Sequence, residues 1–136
     1  MILDTNFISN LINGNEEAWE KALEINEKDE NKSITEVVLF ELYYGAFADE
    51  NEELVRLVSN IATMYDMKNL GEEEIIEGAK RLAEADNSEG GDSGVGYRDG
   101  MIGGVAACHS EVVLTENVTD FEKLDVDIEE FNSDSD

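Results

Sequence analysis

Four acidic residues stand where the surrounding sequence gives an acid little reason to be. Glu41 is the only charged residue between Val37 and Ala48, in a segment otherwise built of Val, Leu, Phe, Tyr, Gly and Ala. Helical neighbours lie three and four positions apart, which sets Glu41 beside Val37, Val38, Tyr44 and Gly45. A carboxylate there is partly desolvated, and costly unless it is paired or bound to a cation. Asp4 directly follows Met1-Ile2-Leu3, Asp99 opens the small-residue run Gly100-Met101-Ile102-Gly103-Gly104-Val105-Ala106-Ala107, and Asp120 closes Thr115-Glu116-Asn117-Val118-Thr119-Asp120. Each has a plainer explanation: a solvent stripe for Glu41, helix caps for Asp4 and Asp99, a surface turn for Asp120. Glu116 competes with Asp120 as a candidate. Since 34 of 136 residues are acidic, position carries the information and acidity alone does not.

Oxygen donors of this kind suit magnesium or manganese rather than zinc, and no Cys/His ligand set exists, because Cys108 and His109 are the only residues of their types. A single histidine excludes paired-histidine acid–base chemistry and leaves the many serines without a base to activate them. Gly94-Val95-Gly96-Tyr97-Arg98-Asp99 starts like a dinucleotide loop, but Asp99 stands where the third glycine belongs and no strand precedes it. No phosphate-binding loop ending in Gly-Lys-Ser/Thr is present.

The elements that must position these acids follow from periodicity and punctuation. Ile2-Leu3 reads as a buried strand, followed by a helix with Phe7, Ile8, Leu11 and Ile12 that stops at Asn13-Gly14. A second helix presents Ala18, Trp19, Ala22 and Leu23. Lys32-Ser33-Ile34 forms a brief strand, and Thr35 caps an apolar helix to about Ala48. Leu54, Leu57, Val58 and Ile61 mark the other arm of an αα-hairpin. Tyr65 to Leu70 suits a strand, and Glu72 to Ala85 a helix with Ile75, Ile76, Ala79, Leu82 and Ala83 inward. A loop over Asn87 to Gly96 precedes a helix from about Asp99 to Cys108. Val112 to Thr115 and Val126 to Phe131 complete the strands. This alternation predicts an α/β three-layer domain, a central parallel sheet flanked by helices, over residues 1–131, with a disordered acidic tail over 132–136. Ligands of such sheets bind beyond the carboxyl ends of the strands, where Asp4 lies.

Composition bounds the setting. The formal net charge is −25, from 34 acidic and 9 basic residues. Such a field repels nucleic acid in dilute buffer, yet at about 1 M salt the Debye length is only about 3 Å. Runs such as Asn15-Glu16-Glu17, Glu27-Lys28-Asp29-Glu30 and Glu72-Glu73-Glu74 read as solvated helix starts and turns, an adaptation to a salt-rich cytoplasm. An acidic nucleic-acid mimic is the competing interpretation. No apolar run spans a membrane and no basic n-region opens the chain, so a cytoplasmic location is expected. Cys108, in a small apolar stretch, is expected to be a buried thiol.

Taken in order, Met1-Ile2-Leu3-Asp4-Thr5-Asn6, Glu41-Leu42-Tyr43-Tyr44-Gly45, Asp99-Gly100-Met101-Ile102 and Thr115-Glu116-Asn117-Val118-Thr119-Asp120-Phe121 resemble the motifs of PIN-domain nucleases. The layout is similar to the short VapC-type toxins of toxin–antitoxin pairs and covers Met1 to Phe131. Two departures stand out. Gly103-Gly104 replace the usual pair of alanines, and Glu116 replaces the usual basic residue between the Thr and Asn of the last motif.

The resemblance implies a metal-dependent endoribonuclease using Mg2+ or Mn2+, with an RNA substrate, a cognate antitoxin protein and a homodimeric assembly. On that resemblance Asp4, Glu41, Asp99 and Asp120 are the catalytic metal ligands, direct or through water, and Asn6, Thr115 and Asn117 orient them or the scissile phosphate. Four such carboxylates repel, so without metal at least one proton should be retained. A receiver-like phospho-acceptor domain is an alternative. It needs a lysine at a late strand end, and Lys123 lies beyond Phe121 instead. The remaining alternative is a non-catalytic interaction module whose acids only solvate it.

Overall fold

The strands are two or three residues long, so burial rather than length holds the sheet together. Every residue of β1 (Ile2–Leu3), β2 (Ser33–Thr35) and β4 (Val113–Thr115) is buried. In the computed structural model, which describes residues 1–28 and 30–133, these three form the centre of a parallel sheet. β3 (Asp66–Lys68) and β5 (Ile128–Glu130) are its edges, giving the order β3-β2-β1-β4-β5. Ile2 is in register with Ser33 on one side and Val113 on the other. From β1 the chain steps outward to β2 and β3, then crosses back to β4 on the far side of β1. The connection direction therefore reverses between β1 and β4, and the crevice at their carboxyl ends is the expected ligand position.

Seven helices flank the sheet among the described residues: α1 (Thr5–Ile12), α2 (Glu16–Asn26), α3 (Glu36–Ala48), α4 (Glu52–Met64), α5 (Glu72–Ser88), α6 (Tyr97–His109) and α7 (Val118–Lys123). The α/β three-layer expectation is met. Local chemistry starts four of the helices: the side chains of Asp4, Asn15, Thr35 and Asn51 accept from the N–H groups of Thr5, Ala18, Val38 and Leu54. The caps that reach the third amide of their helix, Asn15, Thr35 and Asn51, contribute about 1 kcal/mol each. The core joins Ile2, Leu3, Ile34, Val113 and Leu114 of the sheet to Phe7, Val38, Ile102, Val105 and Phe121 of the helices.

Several expectations need correction. α2 buries Ala18 and Ile25, while Trp19 and Leu23 face outward. α5 turns Gly78, Leu82 and Ala85 inward and leaves Ile75, Ile76, Ala79 and Ala83 exposed. The cause is its partner: a Cβ on Gly104 would strike the backbone of Glu74 and Gly78, and one on Gly78 the carbonyl of Gly100. α5 and α6 thus meet backbone to backbone, and the glycine stripe outranks the isoleucine pair. α6 starts at Tyr97 with Gly96 at its cap, so Asp99 does not cap it. The segment around Asp120 is the short helix α7, not a turn. Cys108 is exposed in the last turn of α6, with its Sγ 3.7 Å from the Glu73 carbonyl of α5. Residual burial and the acids Glu74, Glu77 and Glu73 push its thiol pKa up, which lowers its reactivity.

Among the described residues no helix is long and apolar enough to cross a membrane. Of the expected tail, 132–136, Ser133 donates its N–H to Glu116 Oε1 at 2.7 Å. The rest of that tail, 134–136, and Asp29 of the expected solvated turn lie outside the described residues.

Candidate functional site

Asp4 ends β1 at the crevice and is fully buried. Its N–H is held by Leu114 O of β4 at 3.0 Å, which fixes the side chain at the boundary between the two central strands. One carboxylate oxygen, Oδ1, accepts from Thr5 N at 2.7 Å. The other, Oδ2, accepts the Thr115 hydroxyl at 2.7 Å and the Asn6 amide at 3.4 Å. Capping and site roles thus coincide in this residue. Thr115 Oγ1 also accepts from Asn117 N at 2.9 Å, which turns the chain after β4 back toward the crevice. Asn6 Oδ1 accepts Glu116 N at 3.3 Å.

Glu41 reaches the same place from α3. Its Oε1 accepts the Thr5 hydroxyl at 2.7 Å, and its side chain is one-third exposed. Asp99 arrives from the first turn of α6, buried, with Asn117 Nδ2 donating to its Oδ2 at 3.3 Å. Asp4, Glu41, Asp99, Asn6, Thr115 and Asn117 therefore occur as one hydrogen-bonded constellation. Asp120, on α7, is not hydrogen-bonded into it. Its charge is felt by Asp99, while Glu116 lines the cleft of about 470 Å3 that opens over Asn6, Glu41, Asp99 and Asn117.

Sequence reasoning missed the residue that ties the acids together. Arg98 extends its guanidinium into their midst: Nη2 donates to Asp4 Oδ1 at 2.5 Å and to the Thr5 hydroxyl at 3.0 Å, and Nε to Glu41 Oε1 at 2.6 Å. Nη1 donates to Asp99 Oδ1. Its signal was present, since Arg98 is the only arginine or lysine between Arg81 and Lys123, directly beside one of the singled-out acids. Lys123 is elsewhere, bonded to Ser93 O at 2.7 Å, which leaves the phospho-acceptor alternative without its lysine.

The electrostatics are uneven. Burial foremost, then the charges of Asp4 and Asp120, push the Asp99 carboxyl up to about 6, against the opposing pull of Arg98. Asp99 is thus the acid of this cluster most inclined to keep a proton, with burial ahead of charge crowding as the cause. Burial opposes the Arg98 charge, but Asp4, Glu41 and Asp99 together raise its pKa above the ordinary arginine value. Among the described residues no three acids stand free as a preformed cage for an ion. The donor set is nevertheless one that takes a hard cation: three carboxylate oxygens from three elements converge on a single positive group.

The sequence matches the PIN domain family over residues 1–127. No curated protein matches the chain. Among solved structures, a VapBC complex from nontypeable Haemophilus influenzae contains a similar chain at TM-score 0.80 and 22% identity, covering 95% of this chain and 96% of that one. A DNA-bound VapBC from Salmonella typhimurium is 28% identical at TM-score 0.77, with 95% and 96% covered. A VapBC from Rickettsia felis bound to a promoter DNA fragment is 20% identical at TM-score 0.79, with 96% and 98% covered.

Proposed function

The chain belongs to the PIN-domain family, a family of nucleases, and on that premise we propose that it is a divalent-metal-dependent endoribonuclease, the toxin of a toxin–antitoxin pair. One observation carries the proposal: buried Asp4, buried Asp99 and half-buried Glu41 direct oxygens at one cation from β1, α6 and α3, at the reversal point of the sheet. Three acids from distant segments have no structural need to meet there, and their mutual repulsion costs stability.

In this reading Asp4, Glu41 and Asp99 are the direct ligands of Mg2+ or Mn2+, and Asp120 acts through water. The metal, when bound, supplies an acidified water for in-line attack on phosphorus and stabilises the leaving oxygen. The chain's own residues do the orienting. The Thr115 hydroxyl holds Asp4 Oδ2, Asn117 holds Asp99 Oδ2, and the Thr5 hydroxyl holds Glu41 Oε1. Such supporting bonds set the direction of the remaining lone pairs.

An antitoxin protein and a second copy of the chain are the proposed partners. Phe40, Tyr44 and Phe47, spaced along one face of α3, are each more than 60% exposed, as is Met64 of α4, and an exposed apolar face of this kind marks an interaction surface. The net charge of −25 supports a salt-rich cytoplasm as the place of action. The test is incubation of purified protein with RNA and with DNA of matched sequence in about 1 M KCl, where charge is screened. RNA cut in the presence of Mn2+ or Mg2+ and intact with chelator is the expected result. Cleavage that persists in chelator overturns the metal mechanism, and cleavage of DNA alone overturns the substrate.

A further inference from the structure

Every carboxylate oxygen of Asp4 and Asp99 already has a hydrogen-bond donor, and so has Oε1 of Glu41. Asp4 Oδ2 and Asp99 Oδ2 are turned into the protein, toward the Thr115 hydroxyl at 2.7 Å and the Asn117 amide at 3.3 Å. The oxygens opposite them, Asp4 Oδ1 and Asp99 Oδ1, together with Glu41 Oε1, each receive a different nitrogen of the Arg98 guanidinium. Magnesium lies about 2.1 Å from its oxygen ligands and demands near-octahedral geometry. An ion bridging these same oxygens overlaps the guanidinium nitrogens, and it brings two positive charges against one. Guanidinium and metal exclude each other.

We propose that Arg98 is an internal latch: a resident counter-cation that keeps the acids assembled without metal and that a divalent ion must displace before it can bind. This rests on the metal-dependent reading of the same acids. Two features of Arg98 fit a part that moves. Its side chain is 29% exposed, so it leaves the acids without breaking the core. It also lines the adjoining groove of Val37, Phe40 and Met101, where the displaced cation meets the exposed face of Phe40 and the carboxylate of Glu36. Among the described residues nothing else at the cleft supplies positive charge, because the rest of its wall is Thr5, Asn6, Gly96, Glu116 and Asn117 beside the acids.

The latch sets the apparent metal affinity. If the displaced state holds a tenth of the population or less, apparent affinity falls by about tenfold or more relative to an unlatched site. The chain has three arginines, Arg56, Arg81 and Arg98, so their Nε–Hε signals can be followed by nitrogen-15 NMR. Arg81, whose Nε donates to Glu77 at 2.8 Å away from the cleft, is the internal control. Magnesium is titrated into the full chain in about 1 M KCl. Wild type is compared with R98Q, which removes the cation, and R98K, which keeps charge but cannot bond three carboxylates as a planar fork.

The expected result is an Arg98 Nε–Hε signal that shifts and loses its exchange protection in step with magnesium binding, while that of Arg81 stays. R98Q should bind magnesium about tenfold or more tightly than wild type, with R98K between them. Magnesium binding to wild type that leaves the Arg98 signal in place overturns the latch and spares the nuclease. Equal affinity of R98K and wild type shows that net charge alone matters, and also overturns it. Failure of R98Q to bind magnesium while wild type binds it overturns the latch and spares the nuclease, and failure of both to bind overturns the metal-dependent reading, and the latch with it.

Discussion

At the scale of single residues, Asp99 makes the sharpest demand. Its pKa rises from 3.8 to about 6, mainly through burial. The folded chain therefore holds a proton that the unfolded chain releases between these values. That contribution to stability is fully present below about pH 4 and is lost as pH rises through about 6. Asp99→Asn cannot ionise, so it should flatten this part of the stability profile. In chelator at pH 7 it should melt above wild type, since Arg98 keeps Asp4 and Glu41 as partners. Melting temperatures from pH 4 to 8 test this, and a profile with wild-type slope would refute it. Manganese affinity should fall below about pH 6, because the metal competes with the same proton. Asp4 differs despite its similar burial: it accepts bonds from Thr5, Asn6, Arg98 and Thr115. Relief of repulsion by the matching amide is therefore expected at Asp99 and not at Asp4. The acids themselves were legible because each broke its local pattern. Arg98 was not, because a cation beside an acid in sequence says nothing of two further acids brought to it by folding.

At the scale of elements, the α5–α6 contact positions Asp99, and glycine makes it possible. Gly104 has no room for a Cβ against the backbone of Glu74 and Gly78. Gly104→Ala should cost about 1–3 kcal/mol through overpacking. Because it pries α6 from α5, it should also weaken metal binding without touching a ligand. Gly45, in α3 with nothing near its missing Cβ, is the contrasting case. Its change to alanine should stabilise by about 0.5–1 kcal/mol. Thermal melts of the two variants, with opposite signs expected, check the argument. The helices were readable from period and caps, and the strands from short apolar runs. The inward face of α5 was not, since Ile75-Ile76 advertises burial while Gly78 is silent until its partner Gly104 is known. α7 was missed because six residues carry too little periodicity.

At the scale of the whole molecule, charge dominates. Nine basic side chains, among them Lys28 paired with Glu129 and Arg81 with Glu77, stand against 34 acids. In about 50 mM salt these acids repel across about 10 Å or more, and the fold should loosen. Melting followed by circular dichroism without divalent ions should show a clear rise in midpoint between about 50 mM and about 2 M KCl. Equal midpoints would remove the salt-adaptation reading. Fold class was legible at this scale because alternating strands and helices admit few topologies. Partners were less so, because exposed apolar side chains on α3 and α4 mark a surface without saying what covers it.

The central claim is that Asp4, Glu41 and Asp99 hold the metal that cuts RNA, and Glu41 tests it most directly. It carries no capping role, and its partly exposed position lets Gln replace it without disturbing the core. The measurement is the single-turnover rate of RNA cleavage by E41Q and wild type in about 1 M KCl with Mn2+. A loss exceeding about a hundredfold, beyond what a supporting residue such as Asn117 should cost, is the predicted result when the melting temperature is retained. Cleavage by E41Q within a few-fold of wild type would contradict the assignment of the site.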